Sequence, residues 1–280
     1  MATTTTDEET FSRALAFERR ARLGVVQRAE PHRVGEAFFH TERPRVHDAN
    51  LLTVDVGVDA DELMAALDEL YLGYPHRKAV IERDDVGRRL ARPFAERGWT
   101  VQRHVYMALR RRRDREPVPD LARETDAATL RPLQDAATRE EPFGCDEQVV
   151  QQLSAHAEAW CTAVPAVRYF VAADDGIDAA VTTLYSDGVI AQVEDVATLS
   201  AHRCHGLARA TVSMAVDAAL ATGHELIFLV ADDQDWPKAL YANLGFDPVG
   251  LVWPLVRPGP EGRWGAPVTQ GIDSMRRPPA

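Results

Sequence analysis

The chain of 280 residues is poor in several things, and each scarcity excludes a class of protein. Its three cysteines, Cys145, Cys161 and Cys204, have separations that suit neither a metal knuckle nor a disulfide framework. No metal is therefore expected, and free thiols fit a reducing, cytoplasmic setting. No apolar run approaches the ~20 residues that cross a bilayer, so no membrane partner is expected. Residues Met1 to Glu9 lack the basic start and apolar core of a secretion signal and read as a frayed tail. Lysine occurs only at Lys78 and Lys238, all other basic residues being arginine, which in an alanine-rich chain reads as coding bias.

Positive charge is scarce in one half only. Residues 1–115 carry 21 Lys and Arg against 19 Asp and Glu, a balance of +2, whereas residues 116–280 carry 11 against 24, a balance of −13. So acidic a second half repels nucleic acid and favours small cations. Any anionic ligand there must be held by local N–H groups and arginines.

What is present is a globular composition, 45% hydrophobic and 27% charged, with length enough for two domains. Arg110-Arg111-Arg112-Arg113, followed by Pro117 and Pro119, marks a solvated linker. The domains are therefore read as 1–112 and 118–257, with 258–280 as a C-terminal tail. In the second half, periodicity and turn signals predict a short strand at 118–123, a helix capped by Asp126 and a helix from about 146 to 161. Strands follow at 167–173, 177–185 and 189–198, then a helix stopping at Gly223, a strand at 225–231, a helix capped by Asp235, and closing strands at 246–256. In the first half, strands are expected near 36–40, 51–56, 79–82 and 101–109, with helices at 61–72 and 86–97.

The most informative segment is the end of the 189–198 strand and the Arg203-Cys204-His205-Gly206-Leu207-Ala208 that opens the next helix. A helix N-terminus offers free N–H groups to anions, and Gly206 and Ala208 would let a diphosphate approach the backbone. A second motif, Leu240-Tyr241-Ala242-Asn243-Leu244-Gly245-Phe246, stands one helix and one strand later. Together these resemble the acyl-CoA loop and the late helix of the GNAT superfamily of N-acyltransferases, over about residues 118–257. The resemblance implies an α/β fold with a mixed sheet. The first half, where Phe94 to Trp99 echoes Tyr241 to Phe246 without a cofactor loop, reads as a degenerate GNAT-like repeat in tandem.

The resemblance also implies a function: acetyl transfer from acetyl-CoA to a small, cationic amine within a ternary complex. The alternatives are a non-catalytic acyl-CoA-binding or regulatory module, and a protein N-acetyltransferase. By the resemblance, backbone groups of Val196, Ala197 and Thr198 pair with the pantetheine arm. Arg203, Cys204, His205, Gly206, Leu207, Ala208 and Arg209 form the diphosphate cradle, and Gln234 reaches the pantetheine where many relatives have Asn. Tyr241 is the candidate acid for the thiolate, its hydroxyl pKa of ~10 being close to that of a departing thiol. Glu194 is the candidate base. Strict alternation puts it on one face with Gln192, Val196 and Thr198, and Asp195 on the other, though a bulge would reverse that parity. The acidic loop with Glu140, Glu141, Phe143, Asp146 and Glu147 is a candidate lining of the acceptor cleft.

Overall fold

A computed structural model describes residues 6–118 and 120–258. The expected tail at 258–280 lies outside them except for Pro258, which ends a strand. Residues 1–5 of the expected frayed tail lie outside them too, and Thr6 to Glu9 open a helix instead. In α1 (Asp7–Val25) the Thr6 hydroxyl caps the first turn by accepting from Glu9 N–H at 3.2 Å. Its buried stripe of Ala14, Phe17, Ala21 and Val25 is narrow and built partly of alanine, which makes the helix hard to see in sequence.

The first half continues with β1 (Arg28–His32), β2 (Gly35–Phe39), β3 (Leu51–Val54), α2 (Ala60–Leu70), β4 (His76–Ile81), α3 (Asp84–Glu96), β5 (Thr100–Val101) and β6 (His104–Leu109). The second half supplies β7 (Ala122–Thr125), α4 (Ala127–Glu140), α5 (Glu147–Ala163), β8 (Ala166–Asp174), β9 (Ile177–Ser186) and β10 (Ile190–Thr198). It ends with α6 (Leu207–Ala221), β11 (Leu226–Asp232), α7 (Pro237–Asn243) and β12 (Phe246–Pro258). Asp126 caps α4 by accepting from Thr129 N–H at 2.9 Å. Asp235 does not cap α7: that position falls to Trp236, with Pro237 opening the helix. Among the described residues no helix is long and apolar enough to cross a membrane.

All twelve strands join one mixed sheet, ordered β1-β2-β3-β4-β12-β6-β11-β10-β9-β8-β7, with β5 beside β12. The halves follow one scheme. Each has an antiparallel meander (β1-β2-β3; β8-β9-β10) whose last strand is parallel to the next strand across a helix. The closing strands then trade places. Strand β6 of the first half lies between β11 and β12, while β12 runs on from β6 to pair with β4 and β5. The boundary at 112–118 is a connection along the chain, but hydrogen bonding of the sheet passes across it.

The arginine run is not a free solvated linker. Arg110 bonds Asp7, Arg111 bonds Asp247, and Arg113 pairs with Asp217 and Glu116. Gly245 makes this docking possible. Its φ is +101°, its carbonyl accepts from the N–H groups of Arg110 and Arg111, and a Cβ there would lie 2.1 Å from the Arg111 carbonyl oxygen. The Leu-Gly-Phe motif thus ends α7 and seats the crossing segment at once.

Helices cover both faces of the central strands. On one face Tyr106 and Phe228 pack with Phe17 of α1 and Trp160 of α5. On the other, Val105, Met107, Ile227 and Leu229 pack with Val212 and Val216 of α6 and Tyr241 of α7. The site lies where these two layers meet β10.

Candidate active site

Strand β10 is bulged. Its register with β9 runs Glu194–Thr183 and then Ala197–Val181, so one extra residue is accommodated, and Asp195 takes φ +54°. Strict alternation therefore fails here. Gln192, Glu194 and Asp195 all reach one cavity, while Val193 and Val196 turn to the core beneath α6. Ala197 packs with Leu130 and Ala137 of α4. Thr198 is buried, and its Oγ1 finds no hydrogen-bond partner among the described residues.

The sheet opens at the same place. The parallel ladder between β10 and β11 comprises Ile190–Leu226, Ala191–Ile227 and Gln192–Phe228, and stops there, although β10 continues to Thr198 and β11 to Asp232. The two strands splay into a slot whose β10 wall carries Val196, Ala197 and Thr198. The interrupted register would put Gln234 about level with Thr198. Gln234 is exposed at the end of β11, its N–H donating to Asp232 Oδ1 at 2.8 Å.

The start of α6 faces the mouth of this slot. Gly206 is its N-cap, with φ +83°, and Cys204 also has positive φ, +69°. The first helical bond is Ala210 N–H to the Gly206 carbonyl. Among the described residues no acceptor meets the N–H groups of Cys204, His205, Gly206, Leu207, Ala208 or Arg209. Nothing lies within 4 Å of a Cβ built on Gly206. Six free donors around open space at a helix N-terminus fit a diphosphate, whose negative charge the helix dipole also favours.

The side chains of the cradle serve mostly to shape it. Arg203 Nε donates to the Thr198 carbonyl at 3.1 Å, fastening the loop to β10. Arg209 is buried and donates to Asp114 at 2.6 Å, so it contributes backbone and not guanidinium. Leu207 is buried against Ala179 and Ala180, and Ala208 packs on the core. His202 and His205 both place Nδ1 on Asp174 Oδ2, at 2.8 and 2.7 Å, and these bonds hold the Asp174 carboxyl below its ordinary pKa. Cys204 is an exposed free thiol.

Tyr241 is buried in the cluster containing Val193 and Val196 and stands edge-on to Phe246 at 6.5 Å. Burial, followed by the charge of Glu194, raises its hydroxyl well above the usual tyrosine pKa. The two residues sense one another electrostatically from opposite layers of the opened sheet.

The cavity beyond Glu194 has a volume of about 100 Å3. That is room for a small ligand or several waters. Both halves line it. Glu18 and Arg22 come from α1, Asp48 from the turn at 47–49, Lys78 from β4, His104 and Tyr106 from β6, and Tyr185, Gln192, Glu194 and Asp195 from the second half. Gln192 Nε2 donates to Glu194 Oε2 at 2.9 Å and to Glu18 Oε1 at 2.8 Å, and Tyr106 donates to Glu18 Oε2 at 2.5 Å. Tyr185 donates to Asp195 Oδ2 at 2.8 Å. Burial, then the like charges of Asp195 and Glu18, pushes Glu194 well above the carboxylate range; burial also raises Glu18 and Asp195. Burial raises Asp48 too, but the Lys78 ammonium bonded to it outweighs this and holds it well below.

The acidic loop between α4 and α5 is not at the cavity. Glu140 accepts from Ser200 N–H at 2.9 Å, Asp146 caps α5 and pairs with Arg45, and Glu147 pairs with Arg139. Phe143 packs with Val46 and Ala49, and Glu141 is buried. The loop joins the halves, and the acids that line the cavity are others. Glu18, Arg22, Asp48, Lys78 and His104, all in the first half, carry no local motif. Their one signal is the presence of charged residues among otherwise buried positions.

The bulge, the slot and the helix N-terminus come together on a mixed α/β fold. The model of the Acetyltransferase (GNAT) family matches residues 131–246, and this segment is a GNAT acetyltransferase domain, of a family that generally uses acetyl-CoA as acyl donor. A comparison with curated proteins finds no match. Among solved structures, a GCN5-related N-acetyltransferase from Kribbella flavida is 19% identical, with a TM-score of 0.60, over 90% of this chain and 96% of that one. A conserved protein of unknown function from Staphylococcus epidermidis is 12% identical, with a TM-score of 0.65, over 84% and 94%. At such identities the likeness is one of fold, and it extends over both halves.

Proposed function

We propose that the protein is an acetyl-CoA-dependent N-acetyltransferase for a small amine, working by direct transfer in a ternary complex. The observation that carries this reading is the slot between β10 and β11, open beyond Gln192–Phe228, with the free N–H groups of residues 204–209 at its mouth. The backbone of Val196, Ala197 and Thr198 would hold an extended pantetheine arm, and the N–H groups of Cys204 to Arg209 would hold the diphosphate. Gln234 stands on the opposite rim.

The thioester, when bound, supplies the activated acyl group. The chain's own residues handle the protons. Glu194, its pKa raised chiefly by burial, takes a proton from the acceptor; Gln192 fixes one of its oxygens and leaves the other toward the cavity. Tyr241, kept protonated by its raised pKa, gives its proton to the leaving sulfur and takes another from solvent through the slot. The cavity's size and its walls on both halves support a small acceptor over a peptide. The first half supplies acceptor walls and no second cradle: β3 stays paired with β4 to its last residue, Val54–Ile81, and the first turn of α2 holds Asp61 and Glu62, which repel anions.

The test is calorimetry with acetyl-CoA, then thiol release over a panel of amines. Micromolar binding and turnover of at least one small amine is expected. Absence of acetyl-CoA binding overturns the proposal.

A further inference from the structure

Resting on that reading, we infer that the acceptor is an amine that also bears a carboxylate, bound with its amine at Glu194 and its carboxylate at Arg22. The inference comes from which charges in the cavity are already satisfied. Lys78 is spent on Asp48. Both oxygens of Glu18 are spent, on Gln192 and Tyr106. Asp195 accepts from Tyr185. Two charged groups keep capacity. Glu194 has one oxygen that meets no protein donor among the described residues. Arg22, one turn beyond Glu18 on α1, has no carboxylate partner there, and its Nε is buried without an acceptor.

Arg22 lies over the Phe38 ring at 5.3 Å and feels the charges of Glu18, Glu82 and Asp48, but its buried Nε still lacks a hydrogen-bond acceptor that a ligand could supply. A second donor lies in the same wall. His104 is 4% exposed and its Nε2 meets no partner, while burial lowers its pKa to about 3, so the ring is neutral and able to donate. The cavity is thus polarised. Its β10 end, beside the slot, holds the oxygen that can accept from an amine, and its first-half end holds the open donors of Arg22 and His104 beside Glu18 and Asp48, whose carboxylates are already bonded. An amine without an anionic group leaves Arg22 unpaired and gains nothing from it.

The experiment compares matched probes: glycine with methylamine, β-alanine with ethylamine, and 4-aminobutyrate with propylamine. Turnover is read by thiol release at saturating acetyl-CoA, and binding by calorimetry with both free and CoA-saturated protein. In at least one pair the carboxylate member should be preferred at least tenfold in kcat/KM or affinity. Arg22→Gln should bring that ratio toward one, and Arg22→Lys, which keeps the charge, should restore part of it. A ratio of one or less in every pair, a ratio indifferent to Arg22→Gln, or no binding by any carboxylate probe overturns the inference. If acetyl-CoA binds and plain amines are turned over equally well, only this inference fails. If acetyl-CoA does not bind, the proposed function fails, and titration of the probes into free protein still decides the Arg22 site.

Discussion

Glu18 and Glu194 hang on the same nitrogen. Gln192 Nε2 donates to both, at 2.8 and 2.9 Å, and so ties α1 of the first half to the bulged strand of the second. Burial raises the pKa of both carboxyls, and the charges of Asp195 and then Glu18 raise that of Glu194 further. The residue proposed as base therefore depends on a helix more than 170 residues away in the chain.

Glu194→Gln tests that dependence through pH. If Glu194 is the base, wild-type kcat/KM rises with pH through a midpoint above the ordinary carboxylate range, and Glu194→Gln lowers turnover ~10²–10⁴-fold and removes that limb. Stability moves the opposite way. A carboxyl whose folded pKa is raised contributes fully below its unfolded pKa and loses that contribution as pH rises through the folded value. Glu194→Gln should thus raise Tm at pH 8 relative to wild type and have little effect at pH 4. A pH profile unchanged by the substitution places the base elsewhere.

Tyr241→Phe removes a hydroxyl but keeps the ring that packs on Phe246. Affinity for acetyl-CoA should change less than twofold, while kcat falls ~10²-fold or more. Steady-state kinetics with calorimetry check this; an unchanged kcat reduces Tyr241 to a packing residue.

Gly206→Val fills the open space at the cradle. At φ +83° it also strains the backbone by ~1–2 kcal/mol, so Gly206→Ala serves as the control for strain. Calorimetry should show acetyl-CoA affinity lost by at least a hundredfold in the valine variant, and Tm lowered comparably in both.

Lys78 is 1% exposed and paired with Asp48. Lys78→Met leaves a carboxylate buried without its cation, and should cost ~3–5 kcal/mol. Adding Asp48→Asn should recover much of that in urea unfolding; independent, additive losses would show that the two do not act as a pair.

A fragment of residues 118–258 keeps the cradle but lacks β6, which pairs with β11 and β12. Both strands then become exposed edges. The fragment should aggregate or dimerise in sedimentation, and adding residues 6–117 in trans should restore a monomeric complex; a soluble, stable monomer would show that the exchange is dispensable.

Local chemistry made most of the elements legible. Gly223 with positive φ ends α6 where expected, Asp126 caps α4, and the Asp175-Gly176 turn joins β8 to β9. The start of α6 and the Leu-Tyr-Ala-Asn-Leu-Gly-Phe helix were equally legible, because a backbone that turns sharply restricts its residues over a few positions. Helix α1 was less so, since alanines in its stripe bury little area and give little contrast.

The sequence by itself determined the Gly206 loop, the helix after it and the class of fold, since each is written within about 15 contiguous residues of periodicity, capping and turn chemistry. Only the tertiary structure decided the rest. The bulge that brings Glu194 and Asp195 to one face, the exchange of β6 and β12, and the meeting of Glu18, Arg22, Lys78 and His104 with β10 all depend on pairings between distant segments. Such pairings are chosen by burial and hydrogen-bond completion over the whole molecule, and no short stretch of chain carries them.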